Sequence, residues 1–229
     1  MAIIICVFTD ILVRVRSKFL RKHIKVLKLW ARNKRLVLSF LAIIIVAGGM
    51  IYANYMQNRR LAVDPATYAQ LLQLIARAES NDNYNAHFGN AGNTSIKFTD
   101  MTIGQVLRWQ SEFIDQGNVS SAVGRYQIIN TTLSGLITQF NISTNEKFDA
   151  AMQDRLAILL IERRGSQNYV NAELTPEQFA HNLSKEWAGL PRVIGDKPGD
   201  SYYAGDGLNK SRVSVGDTLK AIAPISPKR

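Results

Sequence analysis

DPATYAQLLQLIARAESNDNYN, residues 64–85, contains a helix together with its start and its stop. Asp64 before Pro65 reads as an N-cap followed by proline at the first helical position. Apolar residues then recur at Tyr68, Leu71, Leu72 and Ile75, and Glu79 lies four residues beyond Ile75. Spacings of three and four place all of them on one helical face. The Asn/Asp-rich run from Asn81 to Asn85 competes for backbone hydrogen bonds and ends the helix. Glu79 therefore closes an apolar stripe where the chain turns into a polar loop. It is either a helix-terminal carboxylate facing water or a carboxyl at the lip of a cleft. In the second case desolvation raises its pKa, which is what a general acid for glycosidic bonds requires. One carboxylate on an apolar face does not decide between the two.

Outward from this helix the pattern stays mainly helical. Thr102 is placed to cap a helix carrying Ile103, Val106 and Leu107. Residues 146–164 read as a long helix with Phe148, Met152, Leu156, Leu159 and Leu160 inward and Gly165 as its stop. Thr175-Pro176-Glu177-Gln178 is a capping box that opens a helix with Phe179, Leu183 and Trp187 four apart. Residues 85–101 and 117–130 differ, being rich in Gly, Asn, Ser and Thr with β-prone runs at 96–98 and 126–129. They predict a small irregular sheet beside the first helix. The fold class is thus α+β and mainly helical.

The charge is unevenly distributed. Of the net +10, residues 1–60 hold 12 Lys/Arg against one acid, Asp10, while residues 61–229 hold 16 against 17. The larger part carries no electrostatic footprint for nucleic acid. Residues 36–55, LVLSFLAIIIVAGGMIYANY, are 20 uncharged residues, and Tyr52 and Tyr55 stand at the far end. That length and the preceding Lys/Arg predict a single transmembrane helix over 36–56. By the same charge rule the N-terminus is cytoplasmic and the following domain periplasmic, in a bacterial inner membrane or a virion membrane. A cleaved signal peptide is the competing reading, against which the long basic flank and the length of the apolar run both count. Arg14, Lys18, Arg21, Lys25, Lys28 and Arg32 line one face of an amphipathic segment within residues 1–35. It predicts contact with anionic lipid in preference to nucleic acid. Residues 57–63 form a short tether, 64–223 the globular domain, and 224–229 a loose Pro/Lys-rich tail. The lone cysteine, Cys6, excludes an intramolecular disulfide. His23, His87 and His181 lack metal-ligand spacing, and no phosphate loop appears, so no metal or other cofactor is expected.

Four blocks in order carry a resemblance. They are Ala78-Glu79-Ser80 with Asp82-Asn83, then Phe98-Thr99-Asp100, then Gly124-Arg125-Tyr126-Gln127, then Trp187-Ala188-Gly189-Leu190-Pro191; Tyr202 to Gly207 follows more loosely. Together they resemble the lambda-type phage endolysin family, lysozyme-like peptidoglycan lytic transglycosylases, over residues 65–219. The family's run is Trp-Ala-Ser-Leu-Pro where this chain has Gly189. The resemblance implies that Glu79 protonates the glycosidic oxygen between N-acetylmuramic acid and N-acetylglucosamine. The muramic-acid 6-hydroxyl then closes a 1,6-anhydro ring, with no carboxylate nucleophile.

The alternatives are a hydrolytic muramidase using Asp100 as second carboxylate and an inactive glycan-binding or structural membrane protein. Asp100 can equally cap the helix near Thr102. Tyr84, Tyr126, Trp187, Tyr202 and Tyr203 are candidates to lie against sugar faces. For Trp187 its spacing with Leu183 and Phe179 makes core packing an equal alternative. Gln127 is expected to bond an acetamido group or orient Glu79. Arg125 either meets substrate or pairs with an acid, and beside Glu79 it would lower that pKa. Gly124 serves backbone geometry.

Overall fold

The computed structural model describes residues 39, 43–49 and 64–225. The chain divides into two compact units, residues 1–60 and 61–229. In the first unit residues 43–49 are helical, with Ile43, Ile44, Ile45 and Val46 exposed. Among the described residues no helix is long and apolar enough to cross a membrane. This corrects the expected single-pass topology and the periplasmic placement derived from it, because a span needs about 20 helical residues. The remainder of the expected span, the basic segment at 14–35 with its lipid contact, the tether at 57–63 and residues 226–229 lie outside the described residues.

The second unit is helical. A 3-10 turn, Pro65–Tyr68, is capped by Asp64, whose side chain accepts from the Ala66 N–H (3.0 Å), and it runs into α1, Ala69–Ser80. Asn81 stops α1 in the left-handed conformation, φ 53°, which Asn tolerates better than most residues. Next come α2 (Ile103–Asp115), α3 (Asn130–Gln139), α4 (Ala150–Arg163), α5 (Ser166–Val170), α6 (Pro176–Ser184) and α7 (Val215–Ile222). Capping boxes open α2, α6 and α7 at Thr102, Thr175 and Ser214. Each satisfies end groups that the helix itself leaves unpaired.

The centre of the unit is α4. Its run Leu156–Ile161 is buried on every side, so it is a core helix rather than an amphipathic one. Its start is later than the spacing predicts. Phe148 N–H donates to the Met101 carbonyl (2.9 Å) and Thr102 bridges Lys147, which holds 147–148 extended until Asp149 caps the helix. The buried stripe of α1 packs on α4 and α7, and α6 also packs on α7.

The expected irregular sheet is corrected to isolated bridges. Among the described residues these include His87 with Val123 and Val123 with Ile128, and there is no named strand. The loop's backbone groups are taken by asparagine side chains instead of a ladder. Asn83 Nδ2 donates to the carbonyls of Ala91 (2.8 Å) and Asn93 (2.9 Å), and Asn93 Oδ1 accepts from Ser95 and Ile96. Asn85 Oδ1 accepts from the Thr99 N–H (3.0 Å). Such local bonds compete directly with strand pairing.

Candidate active site

A cleft of about 790 Å³ lies between the end of α1, the loops at 87–91 and 119–132, the end of α4, and the segments at 185–189 and 203–212. Glu79 stands on its wall because the buried face of α1 carries Leu72 and Ile75 into the core and continues to position 79. The next residue locks the helix end in place. Ser80 is buried, and its hydroxyl donates to the Arg125 carbonyl (2.7 Å).

One contact defines the carboxyl. Glu79 Oε1 accepts the Gly189 N–H at 2.8 Å. Its other oxygen accepts no hydrogen bond among the described residues. The residue keeps some surface toward the cleft, yet protein closely surrounds the carboxyl group. Burial pushes its pKa up to about 7, against the smaller opposing effects of the Gly189 N–H and the Arg212 charge. Desolvation disfavours the charged form, and a single N–H cannot replace the lost water.

A side chain at Gly189 would crowd the carboxyl. A Cβ there would lie 2.9 Å from Glu79 Oε1, 3.0 Å from Ala78 Cβ and 3.2 Å from the Ala78 carbonyl oxygen. The Trp187–Pro191 segment is anchored from both sides. Leu190 is fully buried, and Trp187 is buried with its indole N–H donating to the Tyr126 carbonyl (3.2 Å). Trp187 therefore borders the cleft mainly as a core residue, and its buried ring is not a free face for a sugar.

The Gly124–Gln127 block splits across two sides of the chain. Gln127 turns to the cleft with φ 48°, its side-chain amide donating to the Gly124 carbonyl (2.9 Å). Gly124, at φ 79°, leaves no room for a side chain, since a Cβ would collide with the Gln153 amide. Arg125 points away from Glu79. Its guanidinium donates to Asp82 (2.6 Å), Gln73 (2.8 Å), the Tyr126 hydroxyl (2.8 Å), the Tyr84 hydroxyl (3.0 Å) and Asp154 (3.3 Å). Tyr84 and Tyr126 in turn donate to Asp154 Oδ1 at 2.9 and 2.7 Å. Burial, then the Asp154 carboxylate, pushes the Tyr84 phenol up to about 12.

The expected substrate contacts divide between the cleft and its surroundings. Tyr84 and Arg125 do not line the cleft; they belong to the ion-pair cluster. Tyr126 borders the cleft but is buried, and its hydroxyl is held by Asp154 and Arg125. Asp100 is exposed in the 3-10 turn Phe98–Asp100, lines no part of the cleft, and leaves the capping of α2 to Thr102. Tyr202 is exposed outside the cleft, with its ring edge-on to His181 and beneath Lys185. Tyr203 lines the cleft, its hydroxyl donating to the Lys185 carbonyl (2.8 Å). Glu79, Gln127, Trp187 and Tyr203 are thus brought together.

The cleft also holds residues that sequence patterns did not single out. Glu186 lines it, clamped by Arg163 (3.0 Å) and Arg164 (2.7 Å). His87 lines the opposite side and meets Trp109 and Phe113, which stack at 4.6 Å. Exposed Val119 and Ile129 extend that wall. No spacing rule links these positions. Among the described residues, no group of three or more His, Cys, Asp or Glu could hold a metal ion.

The model of the Endolysin family matches residues 69–211, from the start of α1 to the segment that closes the cleft. Among solved structures the chain is similar to bacteriophage lambda lysozyme complexed with a chitohexasaccharide, at 19% identity and a TM-score of 0.45. That similarity covers 74% of this chain and 100% of the other. No curated protein matches.

Proposed function

The chain belongs to the endolysin family and is a peptidoglycan-cleaving, lysozyme-like enzyme, and from that premise we propose that it works as a lytic transglycosylase with Glu79 as both acid and base. The observation that supports this reading most is the count of usable carboxylates. The acids lining the cleft are Glu79 and Glu186, and Glu186 is held in ion pairs by two arginines. A hydrolase of the paired-carboxylate type needs a second acid to activate water or attack carbon. Asp100, the sequence candidate for that role, lies outside the cleft.

In the proposed reaction the protonated Glu79 carboxyl gives its proton to the glycosidic oxygen between N-acetylmuramic acid and N-acetylglucosamine. The C1–O bond breaks and positive charge develops on the muramic-acid ring. The 6-hydroxyl of the same sugar attacks C1, and its proton passes to the Glu79 carboxylate, which restores the enzyme. A carboxyl with a pKa of about 7 suits both halves near neutral pH. The Gly189 N–H orients the group and supports its charged form between the two transfers. Gln127 and Tyr203 are proposed to contact the glycan from the cleft walls. The catalytic domain is proposed to span residues 64–223.

The test is to digest purified peptidoglycan with the full chain and identify the released fragments by mass spectrometry. Anhydro-muramic ends are expected. Reducing ends would sink the transglycosylase reading and require an activated water.

A further inference from the structure

Two cations on the cleft wall stand without partners, and we propose that Lys210 and Arg212 form a carboxylate subsite for the acidic substituent that peptidoglycan carries on alternate sugars. The proposal rests on the peptidoglycan-cleaving reading and deepens it. Residues 61–229 show no cationic excess, with 16 Lys/Arg against 17 acids. The cleft does: Arg163, Arg164, Lys185, Lys210 and Arg212 line it against Glu79 and Glu186.

Most of these charges are already used. Arg163 and Arg164 hold Glu186. The Lys185 ammonium donates to Asn182 Oδ1 (3.3 Å) and sits 5.9 Å from the centre of the Tyr202 ring. Lys210 and Arg212 are exposed, and among the described residues neither side chain makes an ion pair or a hydrogen bond. The acid in their own segment, Asp206, is turned inward on its loop. It accepts from the Leu208 and Asn209 backbone N–H groups at 2.8 Å each and from the Asn209 side chain.

The position of Arg212 is fixed by the active site. Its N–H donates to the Gly189 carbonyl (2.9 Å), and the Gly189 N–H donates to Glu79. An unpaired cation here opposes the protonated state of Glu79. A ligand carboxylate on Arg212 removes that opposition when substrate is in place. A neutral glycan offers these cations hydroxyl and amide oxygens but no counter-charge. The muramic-acid substituent ends either in the carboxylates of its peptide or, when stripped, in the lactyl carboxylate itself. Arg offers a planar fork for such a group and Lys a mobile point charge.

The test uses the full chain carrying Glu79→Gln, so that ligands bind without turnover. Affinity is measured for three oligosaccharides of equal length: a peptide-bearing peptidoglycan fragment, the same fragment stripped of peptide, and a chitin oligosaccharide. Adding Lys210→Gln and Arg212→Gln is expected to weaken at least one anionic ligand roughly tenfold, as for loss of charge-assisted contacts in a semi-open site. Chitin binding stays within about twofold, since it has no charge to lose. Loss on the peptide-bearing ligand alone assigns the peptide carboxylate, and loss on both assigns the position nearest the sugar. Equal loss on all three ligands, or none on either anionic ligand, overturns the subsite while leaving the glycan cleft standing. If the parent binds none of the three, the cleft reading falls and the subsite with it.

Discussion

Two polar centres flank the C-terminal end of α1, and they are built in opposite ways. On one side Arg125 bonds to Asp82, Asp154, Gln73, Tyr84 and Tyr126, which leaves little of its donor capacity unused. On the other, Glu79 holds one N–H and no counter-ion in direct contact. The first arrangement compensates the removal of a charge from water and ties α1, the Gly124 loop and α4 together. The second leaves desolvation uncompensated, and the carboxyl responds by keeping its proton. Saturated charge holds structure; an under-satisfied carboxyl is left able to exchange a proton near neutral pH.

The comparison can be broken from either side. Glu79→Gln preserves the shape and the bond to Gly189 but removes the proton, so turnover on peptidoglycan is expected to fall by about 10³-fold or more, measured as fragment release. Arg125→Met does the reverse. Removing the buried hub of a cluster whose carboxylates reach solvent is expected to destabilise by about 2 kcal/mol in denaturant unfolding, while activity per folded molecule stays within a few-fold. Gly189→Ala tests the join between the two sides. Its Cβ would displace the Glu79 carboxyl, so a loss of roughly 10- to 100-fold in rate is expected, with a smaller loss of stability.

A pH series sharpens the contrast. The pKa of Glu79 is raised from 4.5 to about 7 in the folded chain. Below pH 4.5 the group is neutral in both states, and between 4.5 and 7 only the folded state keeps the proton. Its contribution to stability is therefore full at low pH and is lost as pH rises through 7. Relative to wild type, Glu79→Gln should gain about 3 kcal/mol between pH 4 and pH 8, read from paired unfolding curves. The smallest effect is expected at Asp100→Asn, exposed and remote from the cleft, with activity within about twofold in the same fragment assay.

How much of this is legible in the sequence depends on whether the signal is local. The first helix announces itself through Asp64-Pro65, a stripe of period 3.6 and an Asn stop, and the position of Glu79 follows from that count. Thr102 and Thr175 are equally plain as caps. By contrast α3 begins at Asn130 after Ile129, which offers no side-chain cap, and its Thr-rich sequence resembles a strand. The expected sheet fails because Asn83, Asn85 and Asn93 bond the loop backbone first. Within Gly124-Arg125-Tyr126-Gln127, adjacency hides the fact that Arg125 and Gln127 face different partners. Glycines at φ 79° and at a 2.9 Å approach to Glu79 are visible only once distant segments meet. The clamp on Glu186 and the partnerless pair at Lys210 and Arg212 are likewise properties of the folded surface.

The central claim is that Glu79 is held as a neutral acid near neutral pH. The direct measurement is the carboxyl carbon resonance of Glu79, assigned by its absence in Glu79→Gln and followed by NMR as pH is varied. A midpoint near 7 is predicted. A midpoint near 4.5, the ordinary glutamate value, would contradict the account and return Glu79 to the standing of a helix-terminal carboxylate in contact with water.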